Sequence, residues 1–132
     1  MLHGKGHDRY LVTADEFEDR ETPDGLLDIE LSVLVNGVEY GRDNLSNMAW
    51  TFAEMAANAS RGTVIRPGDV LGSGTCGGGC LAELWGRAGR LDPPPLRPGD
   101  TVTITAERIG AVTNTVVSGT KLVPVPRARR HF

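Results

Sequence analysis

Residues 28–40 read Asp-Ile-Glu-Leu-Ser-Val-Leu-Val-Asn-Gly-Val-Glu-Tyr, and this stretch decides the fold. Ile29, Leu31, Val33 and Val35 alternate with Asp28, Glu30 and Ser32. A period of two sets apolar side chains on one face of a strand and polar ones on the other. Asn36-Gly37 follows, and a type I′ turn demands positive φ at both of its central residues, which these two accept. Val38-Glu39-Tyr40 is then the return strand of a hairpin.

Outward from the hairpin the period changes. Met48, Phe52, Met55, Ala56 and Ala59 recur at three- and four-residue spacing, which predicts one main amphipathic helix over about 45–61. Asn44 or Ser46 is placed to cap its start and Gly62 to end it. Its methionine and aromatic stripe reads as core. Two copies of one turn come next, Arg66-Pro67-Gly68-Asp69 and Arg97-Pro98-Gly99-Asp100. Proline sets φ at the second position and glycine takes positive φ at the third, so each is a type II turn feeding a strand. The strands expected there are 69–71 and 101–106, the latter paired with 111–117 around Ile109-Gly110. Before the hairpin, Tyr10 to Thr13 is strand-like. The acidic run from Asp15 to Asp24 reads as a solvated connecting segment, because nothing holds its carboxylates in one geometry. Residues 1–9 are read as an irregular end, 10–120 as the domain and 121–132 as a basic tail.

Composition narrows the function classes. The chain has 132 residues, 39% of them hydrophobic, with 14 Lys and Arg against 17 Asp and Glu for a net charge of -3. That balance argues against disorder and against a nucleic-acid partner bound through a basic face. No apolar run approaches the ~20 residues of a membrane span, and the first residues lack a signal-type segment. A soluble, cytoplasmic protein is expected, without a membrane partner. With 17 glycines and 8 prolines the chain is dense in turn formers, as a mainly β (α+β) fold requires.

The segment with chemical character is 70–86. Gly72-Ser73-Gly74-Thr75 offers close backbone approach and two hydroxyls, which suits an anionic oxygen such as a carboxylate or enolate. The Gly-Lys-Ser/Thr of a phosphate loop is missing. Cys76 and Cys80 flank three glycines; a zinc site lacks its second ligand pair, and a thioredoxin-like centre has two intervening residues, so two thiols packing a loop is the expected state. His3, His7 and Asp8 sit among glycines, which reads as a frayed end. Glu83 lies between Leu81-Ala82 and Leu84-Trp85. It is open to two readings: a structural carboxylate paired with an arginine such as Arg87, or one that orients a histidine general base.

Taken in order, Leu11–Glu16, Val35-Asn36-Gly37, Ser46-Asn47-Met48, Arg66–Thr75, Cys80–Leu84, Leu96–Asp100 and Ile109–Val116 make the chain resemble the fumarylacetoacetate hydrolase family, over about residues 10–118. The resemblance implies a mixed β-roll of the fumarylacetoacetase C-terminal-domain type, usually a homodimer. It also implies Mg2+ or a similar divalent cation, and acylpyruvates or related 2-oxo acids as substrates. Family members hydrolyse a carbon–carbon bond, and relatives act as isomerases, hydratases or decarboxylases. Carried over by position, Glu83 corresponds to the glutamate of a water-activating Glu–His pair and Thr75 to the substrate-contacting threonine, with Ser73 and Gly74 beside it. Lys5 corresponds to the family lysine, though closer to its strand than usual. The family's metal carboxylates and the dyad histidine lie upstream of everything matched, so no metal ligand is assigned. The resemblance therefore implies the C-terminal half of a catalytic domain, inactive alone, paired with a missing N-terminal half or left as a non-catalytic remnant. An incomplete domain is further expected to expose the apolar face of residues 29–35.

Overall fold

A computed structural model describes residues 14–128. The strands are β1 (Glu30–Val35), β2 (Val38–Asn44), β3 (Thr101–Ala106) and β4 (Gly110–Thr115), and the helices are α1 (Phe52–Ala59) and α2 (Leu81–Ala88). The four strands form one antiparallel sheet in the order β2-β1-β3-β4. The fold is α+β, as the composition and hairpin predict. The expected strand from Tyr10 to Thr13 lies outside the described residues.

The hairpin forms as its sequence dictates. Asn36 and Gly37 take φ of 51° and 79°, the two positive values of a type I′ turn. Asn36 does more than turn the chain. Its Nδ2 donates to Asp100 Oδ1 at 2.9 Å, and its Oδ1 accepts the Thr101 amide at 2.8 Å. The second Arg-Pro-Gly-Asp turn thus delivers β3 to the open side of β1, which fixes the strand order. Both such turns have the expected hydrogen bond, Asp69 N–H to the Arg66 carbonyl and Asp100 N–H to the Arg97 carbonyl, each at 3.0 Å, with Gly68 and Gly99 near φ 100°. The first feeds no strand: residues 69–71 are irregular, a correction to the expectation, because no neighbour offers them a ladder.

The return strand runs to Asn44, well beyond Tyr40. Between the pairs Val33–Gly41 and Leu34–Glu39 the register shifts by one residue, so Tyr40 is the extra residue of a bulge. Cross-strand partners share a face, so Val33, Gly41 and Ile104 look the same way. That face is the core. Ile29 is 1% exposed, Phe17 4%, and Val33 and Val35 7% each. The apolar side of residues 29–35 is buried, not open as a half-domain was expected to leave it, and the Gly78–Gly79 turn lies against Gly41 and Val33 on that face. Phe17 belongs to a 3-10 helix, Ala14–Arg20, within the acidic run. This run is more than a solvated connector: Arg108 pairs with Asp19, and Arg20 bonds Glu107 beside β3.

The helix expected over 45–61 is divided. Leu45–Asn47 is a single 3-10 turn capped by the Asn44 side chain, Met48–Trp50 is extended or bent, and α1 begins at Phe52. Thr51 caps α1 in a reciprocal box with Glu54, which outcompetes continuation from the preceding turn. The chain ends α1 at Ala59, ahead of Gly62. α2 was not anticipated, although Leu81, Leu84, Trp85 and Ala88 have helical spacing and Glu83 and Arg87 form an i,i+4 pair. Trp85 Nε1 donates to the Pro93 carbonyl at 2.6 Å, tying α2 to the segment that leads to β3.

Candidate functional site

The core face of the sheet carries the glycine loop. At the β2 bulge, Gly41 presses directly on Gly78: a Cβ on Gly41 would lie 2.5 Å from the Gly78 carbonyl carbon and 2.9 Å from the Gly79 nitrogen. A Cβ on Gly79 would meet Val33 Cγ2 at 3.4 Å. Two backbones approach this closely only where neither bears a side chain. The loop then turns through Gly78, at φ 69°, and closes with Gly79 N–H donating to the Cys76 carbonyl at 2.9 Å.

Two carboxylates hold that turn by successive amides. Asp43, at the end of β2, accepts the Gly77 N–H on Oδ2, while its Oδ1 accepts the Asn44 amide at 2.8 Å and Asn47 Nδ2 at 2.7 Å. These donors, Asn47 first, hold the Asp43 carboxyl below the ordinary carboxylate range. Glu83, in the first turn of α2, accepts the Gly78 N–H at 2.8 Å on Oε2, and its Oε1 pairs with Arg87. Sequence reasoning missed Asp43. Its only signal is its place at the end of a return strand longer than expected. Cys76 and Cys80 are free and half-buried at the two ends of the turn. Burial, with the nearby charges of Asp43 and Glu83, pushes the Cys76 thiol up.

Between this loop and the 3-10 turn lies a cavity of about 340 Å3. Ser73, Gly74, Thr75 and Cys76 form one wall, Asp43, Asn44 and Asn47 a second, and Leu31, Met48, Trp50 and Met55 an apolar third. Trp50 remains 65% exposed, so the cavity is open to solvent. The structure thus brings Ser73, Gly74 and Thr75 together in one wall. Glu83 is not in the lining and reaches it only through the Gly77–Gly78 turn. Lys5 lies outside the described residues. Among the described residues no three His, Cys, Asp or Glu side chains converge where a metal ion could be held. Asp43 and Glu83 already spend oxygens on loop amides, so this donor set does not fit a divalent cation.

The stability carried by Asp43 is linked to pH. Its folded-state pKa lies below the ordinary 3.8, so its contribution is complete above the unfolded value and is lost as pH falls through the folded one. Asp43→Asn is expected to cost about 1–3 kcal/mol at neutral pH, the range for losing charge-assisted bonds to a loop. Urea melts of both proteins across acid pH check this: the difference should narrow below about pH 4. A constant difference would sink the assignment.

Fold and site together define an α+β sheet domain with a hydroxyl-bearing glycine loop clamped on its core face. The particular identity comes from comparison: residues 1–117 match the family described as Fumarylacetoacetate (FAA) hydrolase C-terminal, and the chain belongs to that family. Members are generally metal-dependent. "Uncharacterized protein SSP1806" of Staphylococcus saprophyticus is 30% identical over 105 residues, 80% of this chain and 31% of its own length. "Putative hydrolase Bcen2424_5521" of Burkholderia cenocepacia is 32% identical over 113 residues, 81% of this chain and 36% of its own. A hydrolase-named protein of Burkholderia ambifaria, strain MC40-6, is 31% identical over the same length. The chain spans about a third of the length of the curated relatives it matches. No helix among the described residues is long and apolar enough to cross a membrane.

Proposed function

We propose that this chain supplies the substrate loop and the water-activating carboxylate of a hydrolase that cleaves a carbon–carbon bond in acylpyruvates or related 2-oxo acids. The observation that carries the reading is the wall formed by Ser73, Gly74, Thr75 and Cys76 in an open cavity, which the chain continues directly into the Gly77–Gly78 turn held by Asp43 and Glu83. The Ser73 and Thr75 hydroxyls suit the oxygens of an oxo acid, and the wall of Leu31, Met48, Trp50 and Met55 suits its apolar acyl part. A carboxylate has about four acceptor positions. Glu83 therefore has capacity beyond Gly78 and Arg87 to orient a histidine supplied from outside the described residues. The described residues do not fit a divalent cation, so cation ligands and base would come from elsewhere in the assembled enzyme, in the cytoplasm and as a dimer or with a complementary half.

A second reading rests on a specific observation. Both Glu83 oxygens are engaged, one by a loop amide and one by Arg87, which suits a non-catalytic binding module.

One assay separates the two: turnover of a panel of 2-oxo acids with Mg2+, by this chain alone and mixed with a fragment carrying the family's upstream metal carboxylates and dyad histidine. The hydrolase reading expects no turnover alone and turnover in the mixture. Glu83→Gln should lower the mixture's rate by about 100-fold or more, the scale of losing a general-base device. Equal rates for Glu83→Gln and the unaltered chain would reject the role of Glu83, and silence in a folded mixture would favour the binding module.

A further inference from the structure

We propose that Cys76 and Cys80 are an oxidisable dithiol pair, which peroxide closes into a disulfide across the triglycine turn, releasing Glu83 from the loop. Both thiols are free and half-buried. The chain reverses between them, with the Gly79 N–H on the Cys76 carbonyl. The Cys76 sulfur leans over this reversal: a Cβ on Gly79, the residue before Cys80, would lie 2.6 Å from Cys76 Sγ. Cys80 is anchored at the start of α2, its carbonyl accepting the Glu83 and Leu84 amides at 3.1 and 3.3 Å. One thiol therefore stands at the fixed start of α2, and the other lies beside the residue that precedes it.

The three intervening residues, Gly77, Gly78 and Gly79, bear no side chain to obstruct closure. Their backbone can reach the Cα separation of about 4.4–6.8 Å that a disulfide requires once the turn gives up its amide bonds to Asp43 and Glu83. The chemistry balances. Cys80, as its thiolate, attacks a peroxide oxygen, giving a sulfenic acid and releasing water, because burial beside Asp43 and Glu83 disfavours the Cys76 thiolate. The second sulfur attacks the sulfenic sulfur, the S–S bond forms, and the departing hydroxide takes the second thiol proton as water. Two sulfurs are oxidised and one peroxide is reduced to two waters.

The consequence follows from what the turn holds. The Gly77 amide is bonded to Asp43 and the Gly78 amide to Glu83. Tightening the turn re-aims both amides, so the oxidation state of the pair sets whether Glu83 is held. In a reducing compartment such a disulfide is transient and reports oxidant. This inference stands apart from the proposed hydrolase reading, since its test reads no turnover.

The test uses the full 132-residue chain, reduced and then treated with hydrogen peroxide. Alkylation and non-reducing peptide mapping by mass spectrometry should find both thiols lost together in a monomer two hydrogens lighter, restored by dithiothreitol. Hydrogen exchange at the Gly78 amide should quicken at least about tenfold on closure, the change expected on losing a bond to a charged acceptor. Cys76→Ser and Cys80→Ser should each abolish closure, while Glu83→Gln should still close. Cross-linking between chains, independent oxidation of each sulfur to higher acids, or closure with unchanged Gly78 exchange would each overturn the proposal.

Discussion

Gly41→Ala is expected to destabilise the domain by about 3 kcal/mol, at the upper end of what overpacking costs. The added methyl would enter the backbone of Gly78 and Gly79, not the end of a flexible side chain. Backbone cannot step aside unless the whole turn lifts off β2. Lifting it would break the Gly77 bond to Asp43 and uncover Val33. The effect is therefore expected to be cooperative: a drop in melting temperature of more than about 10 °C, by the scaling for a small domain. Faster amide exchange at Gly77 and Gly78 should accompany it. A melting point within a degree or so of the unaltered chain would mean that the close approach is not made in solution. The same substitution at Gly37, where an added Cβ meets nothing, separates crowding from backbone effects, since only its positive φ of 79° is then penalised.

The second large effect is expected at Ile29. Among the described residues it is the one fully buried large side chain, in a core whose other buried apolar members are Phe17, Val33 and Val35. Removing a buried isoleucine to alanine costs about 2–5 kcal/mol, and more of that range applies where the surroundings cannot collapse into the space. Ile29 sits just before β1, where its carbonyl accepts the Leu45 amide at 2.9 Å, so the backbone there is pinned. Ile29→Ala should thus lose most of the cooperative urea transition, and Ile29→Val should shift it by about 1 kcal/mol. If both variants melted alike, the core would lie elsewhere. A small core of this kind also explains why large apolar side chains such as Val64, Val70, Leu122 and Val125 stay at the surface.

The hairpin, both type II turns and the pairing of the last two strands were legible because each depends on residues adjacent in sequence. Asn36-Gly37 and the two Pro-Gly pairs need no distant partner to take their φ values. Apolar spacing over 45–61 predicts one helix where the chain forms a 3-10 turn and α1, for a reason of the same local kind. Thr51 and Glu54 make a capping box that restarts the helix, and a pattern read only for apolar spacing overlooks it. The hydroxyl run at 73–75 and Glu83 stood out by composition, and the family by motif order. Asp43 did not, because its role exists only once β2 lies under the loop.

The chain by itself determined the turns, the alternating strand faces and the α+β class, since these follow from backbone sterics and from the periodicity of apolar side chains within a few residues. Only the tertiary structure decided which face of the sheet is buried, that β3 docks on β1 through Asn36 and Asp100, and that two carboxylates from distant elements hold one glycine turn. Those outcomes depend on partners 5 to 64 residues apart meeting in space. A hydrogen bond or a backbone contact over such a span leaves no trace in the order of the residues until the chain has folded.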